Sequence, residues 1–372
     1  MTRYEELTWP EVADLPRDLP LVLPLGEGYS NAEIARALKT DSFCTLPSLP
    51  YGWQGSVLAV RPETLQRVVA SIFGGPQEEG FTNLHVLHRG PEDLETPGVR
   101  QVRLERTVID TVPCLVASPQ RVILIPCGHT EQHGYHLPMN TDTLIIDAIA
   151  CGVVRAIPDE AEMLPTLPYG VSTFRSSFAG TFNMGGRIFE DFMLEVVAAL
   201  IERGADRLYL ISGHGGNCSF LVNVVKYAGE QQRGIFAATT WLHTSGHLSG
   251  PAIAEYRLSE RGGMGHAGEL ETAFMLHLRP DLCHMERVVD ETDFISTPNY
   301  YMDWIEGGAL VANPPWEDDT TTGSYGAGSL ATAENGARWL QVAVEEKIAH
   351  VREIHEQQNR RQARRHERAT RR

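Results

Sequence analysis

The stretch RLYLISGHGGNCSFLVNVVKYAGEQQRGIFAATT, residues 207–240, decides the fold. Arg207 to Ser212 is an apolar, β-favouring run and reads as a buried strand; a helix opens near Asn217, and Ile235 to Thr240 reads as the next strand. Strand, helix and strand with tight connections form the right-handed βαβ unit, and therefore a parallel sheet. The alternation continues upstream. Arg121 to Pro126 (RVILIP) is a second buried strand, and Thr143 to Ile157 a helix that Asp142 or Thr141 can cap. Ile188 to Arg203 is another helix, stopped by Gly204. The expected fold class is α/β with a mainly parallel sheet. Ligands of such sheets sit in the loops at the carboxyl ends of the strands.

With 372 residues the chain has room for about two domains, and 42% hydrophobic residues suffice for a full core, which excludes general disorder. The net charge of −16 argues against nucleic acid as the principal partner. The charge is uneven: His350 to Arg372 holds eight Arg against three Glu, a basic tail expected to be a solvated helical extension. Six cysteines, Cys44, Cys114, Cys127, Cys151, Cys218 and Cys283, lie far apart with no CxxC pair, which fits a reducing cytoplasm. Cys127 and Cys218 are expected to pack as small apolar groups. The opening MTRYEELTWPEV lacks a signal-peptide pattern, and no apolar run approaches the roughly 18 residues of a membrane span, so a soluble cytoplasmic protein is expected.

The first 115 residues carry echoes of the main domain. Leu46-Pro-Ser-Leu-Pro-Tyr-Gly52 matches Leu164-Pro-Thr-Leu-Pro-Tyr-Gly170 at six of seven positions. Leu21 to Gly26 resembles Ile123 to Gly128, and Gly80 to Leu87 resembles Gly204 to Ile211, in the same order. These echoes predict a shortened, degenerate copy of the main domain that lacks its polar loops. Chance similarity of Pro-rich turns is the alternative.

Three clusters carry potential chemistry. Glu131-Gln-His133-Gly-Tyr-His136, followed by Asp142, puts carboxylates and imidazoles in one loop after a strand. That composition suits Zn²⁺, Mn²⁺, Fe²⁺ or Co²⁺, and a carboxylate can bridge two ions. Ser212-Gly-His214-Gly-Gly216-Asn217 ends a strand and opens a helix, with glycines that allow close approach to a bound group. A phosphate-binding turn is the rival reading, but Walker lysine and GxGxxG spacing are both missing. Gly265-His266-Ala-Gly-Glu269-Leu-Glu271 begins a helix on which His266 and Glu269 share one side, while Glu271 points elsewhere unless the first turn is irregular. Taken alone, this last segment would be an ordinary acid-rich helix start.

TEQHGYHLPMNTD, SGHGGN and HAGELETAFMLHLRPDL, with LPYG and FAGT (Phe178 to Thr181) between the first two, together resemble the creatininase superfamily over about residues 115–345. EELTWPEV resembles the start of that family's chain. The resemblance implies a three-layer α/β/α domain, commonly hexameric, and a two-metal hydrolase acting on a small molecule. The expected organisation is a degenerate copy over 1–115, a catalytic domain over 116–349 and the basic tail over 350–372. By position, Glu131 and His214 would bind one metal, His133 the other, and Asp142 would bridge them. Creatininase has a carboxylate two residues after the motif histidine, where this chain has Gly216, so Glu269 is expected to supply the missing ligand. Glu271 would stand behind it or exchange roles with it.

In the implied reaction a metal-bridging hydroxide attacks a carbonyl, with His266 and Glu271 as the catalytic pair and His266 serving either as general acid/base for the departing nitrogen or as an oxyanion donor. His136 and Asn140 would orient ligands; His136, Gly216, Asn217 and Trp241 are the expected substrate contacts. Creatininase surrounds creatinine with two tryptophans, and only Trp241 falls at a matching position; the other falls in Arg261-Gly262-Gly263. The expected substrate class is a cyclic amide or amide-like small molecule, the alternatives a formamide or a cyclic ketone. Thr244 to Met264 and Val288 to Asp319 are candidate lids, and Trp304, Trp316 and Tyr325 candidate wall residues. Two further readings, a non-catalytic metal-binding assembly subunit and a nucleic-acid factor using the tail, fit the retained ligand set less well.

Overall fold

The computed structural model describes residues 1–90, 93–104, 121–173 and 177–371. The expected boundary at 115/116 lies outside the described residues. Strands β1 (Thr2–Arg3), β2 (Leu21–Pro24), β3 (Cys44–Thr45), β4 (Leu84–His88) and β5 (Val99–Arg103) form one parallel sheet in the order β1-β3-β2-β4-β5. Helices α1 (Trp9–Ala13), α2 (Asn31–Leu38) and α3 (Pro62–Glu78) connect its strands. Strands β6 (Val122–Cys127), β7 (Ala161–Met163), β8 (Arg207–Ser212) and β9 (Phe236–Thr239) form a second parallel sheet in the order β7-β6-β8-β9. Its helices are α4 (Thr141–Ala156), α5 (Gly186–Glu202), α6 (Gly215–Gln231), α7 (Ser249–Tyr256), α8 (Glu269–Leu278) and α9 (Ala333–Thr370).

The second sheet is the middle of a three-layer α/β/α unit, because alternate residues of a strand face opposite sides. Ile123 and Ile125 pack with Phe189, Phe192 and Leu221 of α5 and α6. Val122 and Leu124 pack with Ile146 and Val153 of α4 and with Val351 and Ile354 of α9. The fold thus has the expected class, with element ends within two residues of the sequence reading. Asp142 is not a cap: α4 begins at Thr141, Asn140 precedes it, and the Asp142 carboxylate is turned elsewhere. The basic segment after His350 is the end of α9 itself. Val351, Ile354 and Gln358 are still buried, so the helix runs without a break across the expected boundary at 349/350.

The two sheets share one pattern of pairing. Pro24 lies opposite Leu87, and Pro126 opposite Ile211. Gly26 N–H donates to Leu49 O at 2.8 Å, and Gly128 N–H to Leu167 O at 2.8 Å. Val60 N–H bonds Gly52 O, and Met184 N–H bonds Gly170 O, at 3.0 and 2.9 Å. α3 and α5 are both 17 residues long and pack against each other. Across that seam Arg67 pairs with Asp191 at 2.7 Å, and Tyr51 stacks on Phe192 with centroids 6.0 Å apart. Gly52, at φ +96°, has Phe192 so close that an added Cβ would stand 2.4 Å from its ring.

Candidate metal centre

Three loops at the carboxyl ends of β6 and β8 and at the start of α8 converge on one buried cluster. Its centre is Asp142, in the first turn of α4. One oxygen, Oδ1, lies 3.1 Å from His133 Nε2; the other, Oδ2, lies 3.2 Å from His214 Nδ1. Glu131 Oε1 is 3.1 Å from His214 Nδ1, and Glu271 Oε2 is 3.7 Å from His133 Nε2. His266 Nδ1 faces Glu131 Oε1 at 3.5 Å and Glu271 Oε2 at 4.0 Å. All six side chains are buried.

The outer ring nitrogens fix which nitrogen each histidine turns inward. His133 Nδ1–H donates to Glu131 O at 3.1 Å, His214 Nε2–H to Val171 O at 2.9 Å, and His266 Nε2–H to Gln132 O at 2.7 Å. A ring whose far N–H is held by a backbone carbonyl presents its other nitrogen in a fixed direction, as metal-binding histidines do. With oxygen and imidazole donors only, the set fits borderline divalent ions.

Charge is balanced tightly here. Burial would raise the Glu131 carboxyl, but His214 and His266 outweigh it and hold it down at about 2. Burial would lower His133, but Asp142 and Glu271 outweigh it and push it up to about 9. Against burial, His133 and His214 likewise hold Asp142 well below the usual carboxylate range, and Glu131 and Asp142 hold His214 well above the usual imidazole. Burial, joined by Asp142 and Glu131 against the pull of His133, raises Glu271 to about 7. Burial and the neighbouring His133 lower His266 to about 4, which leaves it neutral at pH 7.

Glu269, the expected ligand, is not in the cluster. Its carboxylate accepts hydrogen bonds from Leu258 N–H at 2.9 Å and Ser259 N–H at 2.7 Å, and so anchors the segment before α8. Glu271 takes the position instead. His266 stands outside the helix: Ala267 has φ +52° and Gly268 precedes the first helical residue, so His266 and Glu269 do not form an i, i+3 pair. Glu271 then folds back, and its Oε2 accepts from Ala267 N–H at 2.6 Å. Gly216 could not have carried the carboxylate, since an added Cβ there would stand 2.2 Å from Val171 O and 2.4 Å from His214 Nε2.

The other expected site residues support the cluster. Asn217 accepts from Val171 N–H at 2.9 Å and donates to Gly128 O at 3.1 Å, tying the loop after β8 to that after β6. His136 Nε2 pairs with Thr272 Oγ1 at 2.9 Å, and Asn140 N–H donates to Glu5 O. Trp241 is half exposed beside Gly215, where Trp304 is also its neighbour. Trp304 Nε1 lies 3.3 Å from Glu271 Oε1, and Trp316 meets the His266 ring edge-on at 4.9 Å. Both of these tryptophans come from the 288–319 segment. His129, two residues before Glu131, was not expected; it is fully buried beside His214, with ring centroids 4.4 Å apart. Cys127 and Cys218 are buried thiols, raised by burial, Cys218 to about 11.

Among the described residues no helix is long and apolar enough to cross a membrane. Residues 110–351 match the family model of creatinine amidohydrolase. A creatinine amidohydrolase of Pseudomonas putida is 32% identical over 191 residues, 47% of this chain and 71% of that protein. A mycofactocin precursor peptide peptidase of Mycobacterium ulcerans is 28% identical over 62% of this chain and 84% of its own. A 3-dehydro-scyllo-inosose hydrolase of Thermotoga maritima is 26% identical over 63% and 78%. Among solved structures, a creatininase aligns at TM-score 0.53 and 28% identity over 63% of this chain and 91% of that one, and one titled creatininase Mn at 0.52 and 28% over 64% and 92%. Ligand-competent geometry, fold and these likenesses agree: the chain belongs to the creatininase family of hydrolases.

Proposed function

We propose that the protein is a two-metal amidohydrolase cleaving a C–N bond of a cyclic amide or amide-like small molecule. The observation that carries this reading is Asp142, whose two oxygens lie separately against His133 and His214. Glu131, His214 and Asp142 would hold one divalent ion, and His133, Asp142 and Glu271 the other. Such ions, Zn²⁺, Mn²⁺ or Fe²⁺, lower the pKa of water to near neutrality and polarise a carbonyl.

The chain's own residues supply the rest. His266, neutral and with Nδ1 turned inward, would accept a proton and return it to the departing nitrogen. Its orientation is held by Gln132 O and by the edge of Trp316. Trp241 and Trp304, both beside Gly215, would flank a flat substrate. That pair supports a planar ring amide over a formamide; a cyclic ketone remains the second reading, since one relative is a named inosose hydrolase.

The shared register of the two sheets supports reading the N-terminal region as a degenerate copy of the catalytic scaffold; a homo-oligomer, hexameric or a variant of that, is the assembly that the family resemblance implies. Elemental mass spectrometry of purified protein tests the function. Near two divalent ions per chain, falling in Asp142→Ala, is the expected result; a metal-free protein that takes up neither Zn²⁺ nor Mn²⁺ would overturn it.

A further inference from the structure

Two adjacent backbone groups set opposite states on two neighbouring imidazoles. Val171 O accepts from His214 Nε2–H, which leaves His214 Nδ1 as the nitrogen that faces Glu131 and Asp142. One residue earlier, Gly170 N–H donates to His129 Nδ1 at 2.9 Å. That bond occupies the His129 Nδ1 lone pair, so the ring's proton sits on Nε2. His129 Nε2 points at Glu131 Oε2, 4.0 Å away, and has no hydrogen-bond partner among the described residues. Glu131 thus divides its neighbours: Oε1 faces His214 and His266, and Oε2 faces His129.

By distance alone His129, Glu131 and His214 form a group that could hold an ion. The tautomer argues otherwise, because a nitrogen that carries a proton offers no lone pair to a metal. Resting on the two-metal reading above, we infer that His129 is a positioning residue, a buried N–H whose dipole faces the outer oxygen of Glu131 from 4.0 Å, and not a ligand. It fixes which Glu131 oxygen turns to the ion. The turn Leu164 to Gly170 therefore serves the site twice, through Gly170 N–H and through the following Val171 carbonyl.

The test uses the full chain and Zn²⁺ as probe, with dissociation constants from chelator competition and imidazole counts from X-ray absorption at the zinc edge. H129N keeps an acceptor for Gly170 N–H and loses the donor at the ε position; H129Q keeps a donor with that reach. The expected result is about 10- to 100-fold weaker binding of one ion in H129N, with two ions still bound at saturation and an unchanged imidazole count, and binding within about threefold of wild type in H129Q. Should H129N fail to fold, H129L replaces it. Unchanged Zn²⁺ affinity in H129N overturns the inference while the metal centre stands. Loss of one ion at saturation together with one imidazole also overturns it, by making His129 a ligand. Failure of wild type to bind Zn²⁺ removes the two-metal reading itself.

Discussion

Glu271 turns back over the start of α8, and its Oε2 takes the Ala267 N–H at 2.6 Å while lying 3.7 Å from His133 Nε2. One side chain therefore closes the helix end and completes the cluster. Glu271→Gln is expected to lose one of the two ions and to lower kcat/KM by at least about 10³-fold, since a neutral amide is a poor substitute for a ligating carboxylate. Glu269→Gln is expected to keep both ions and lose about 1–3 kcal/mol of stability, because Glu269 holds the Leu258 and Ser259 amides. Metal analysis and thermal unfolding separate the two; the reverse pattern would restore Glu269 as the ligand.

Adding Gly216→Glu to Glu271→Gln should not recover metal. Val171 O and the His214 ring occupy the space that the new Cβ would need. Recovery of two ions per chain in the double variant would contradict the packing described.

Trp241→Ala and Trp304→Ala are each expected to raise KM for a ring amide about 10-fold, the equivalent of one aromatic stacking contact. Steady-state kinetics with the first cyclic amide found to be turned over would check this. An unchanged KM in both variants would exclude the flanking role.

Lys347 is fully buried, with Nζ donating to Ser245 O at 3.1 Å, and burial lowers it to about 8 against the opposing Glu346. Its folded pKa lies below the unfolded one, so between about pH 8 and pH 10 the unfolded chain binds more protons and stability rises with pH. Equilibrium denaturation should show this rise, on the order of 2–3 kcal/mol over the window, and Lys347→Met should flatten it. A slope unchanged in Lys347→Met would assign it to other groups.

The strands and helices of the catalytic unit were legible because buried parallel strands leave unbroken apolar runs and the helices between them keep a 3.6-residue period. Glu131, His133, Asp142 and His214 were legible because each sits at a strand end or helix start. Glu271 was legible only as a catalytic residue or as one exchanging roles with Glu269, since helical spacing presumes a helix, and the left-handed Ala267 removes His266 from it. Trp304 was legible only as one of several candidate wall residues, because it comes from an irregular segment with no periodicity to read. His129 had one available signal, its place between Gly128 and the Glu131 motif, but its role depends on a backbone amide 41 residues away.

The matched ladders of β2–β4 and β6–β8 bear on how this chain reaches its native state. Strands that accept the same register can exchange partners during collapse, so β2–β8 pairing, within one chain or between two, is the misfolded alternative that the shared register would permit. The two outcomes are unequal. Only β6 brings the Glu131 loop beside the His214 loop, where their opposite charges meet; β2 would leave His214 without a carboxylate from that side. The buried centre thus also arbitrates strand partnership, and refolding yield at micromolar concentration should improve when divalent metal is present from the start.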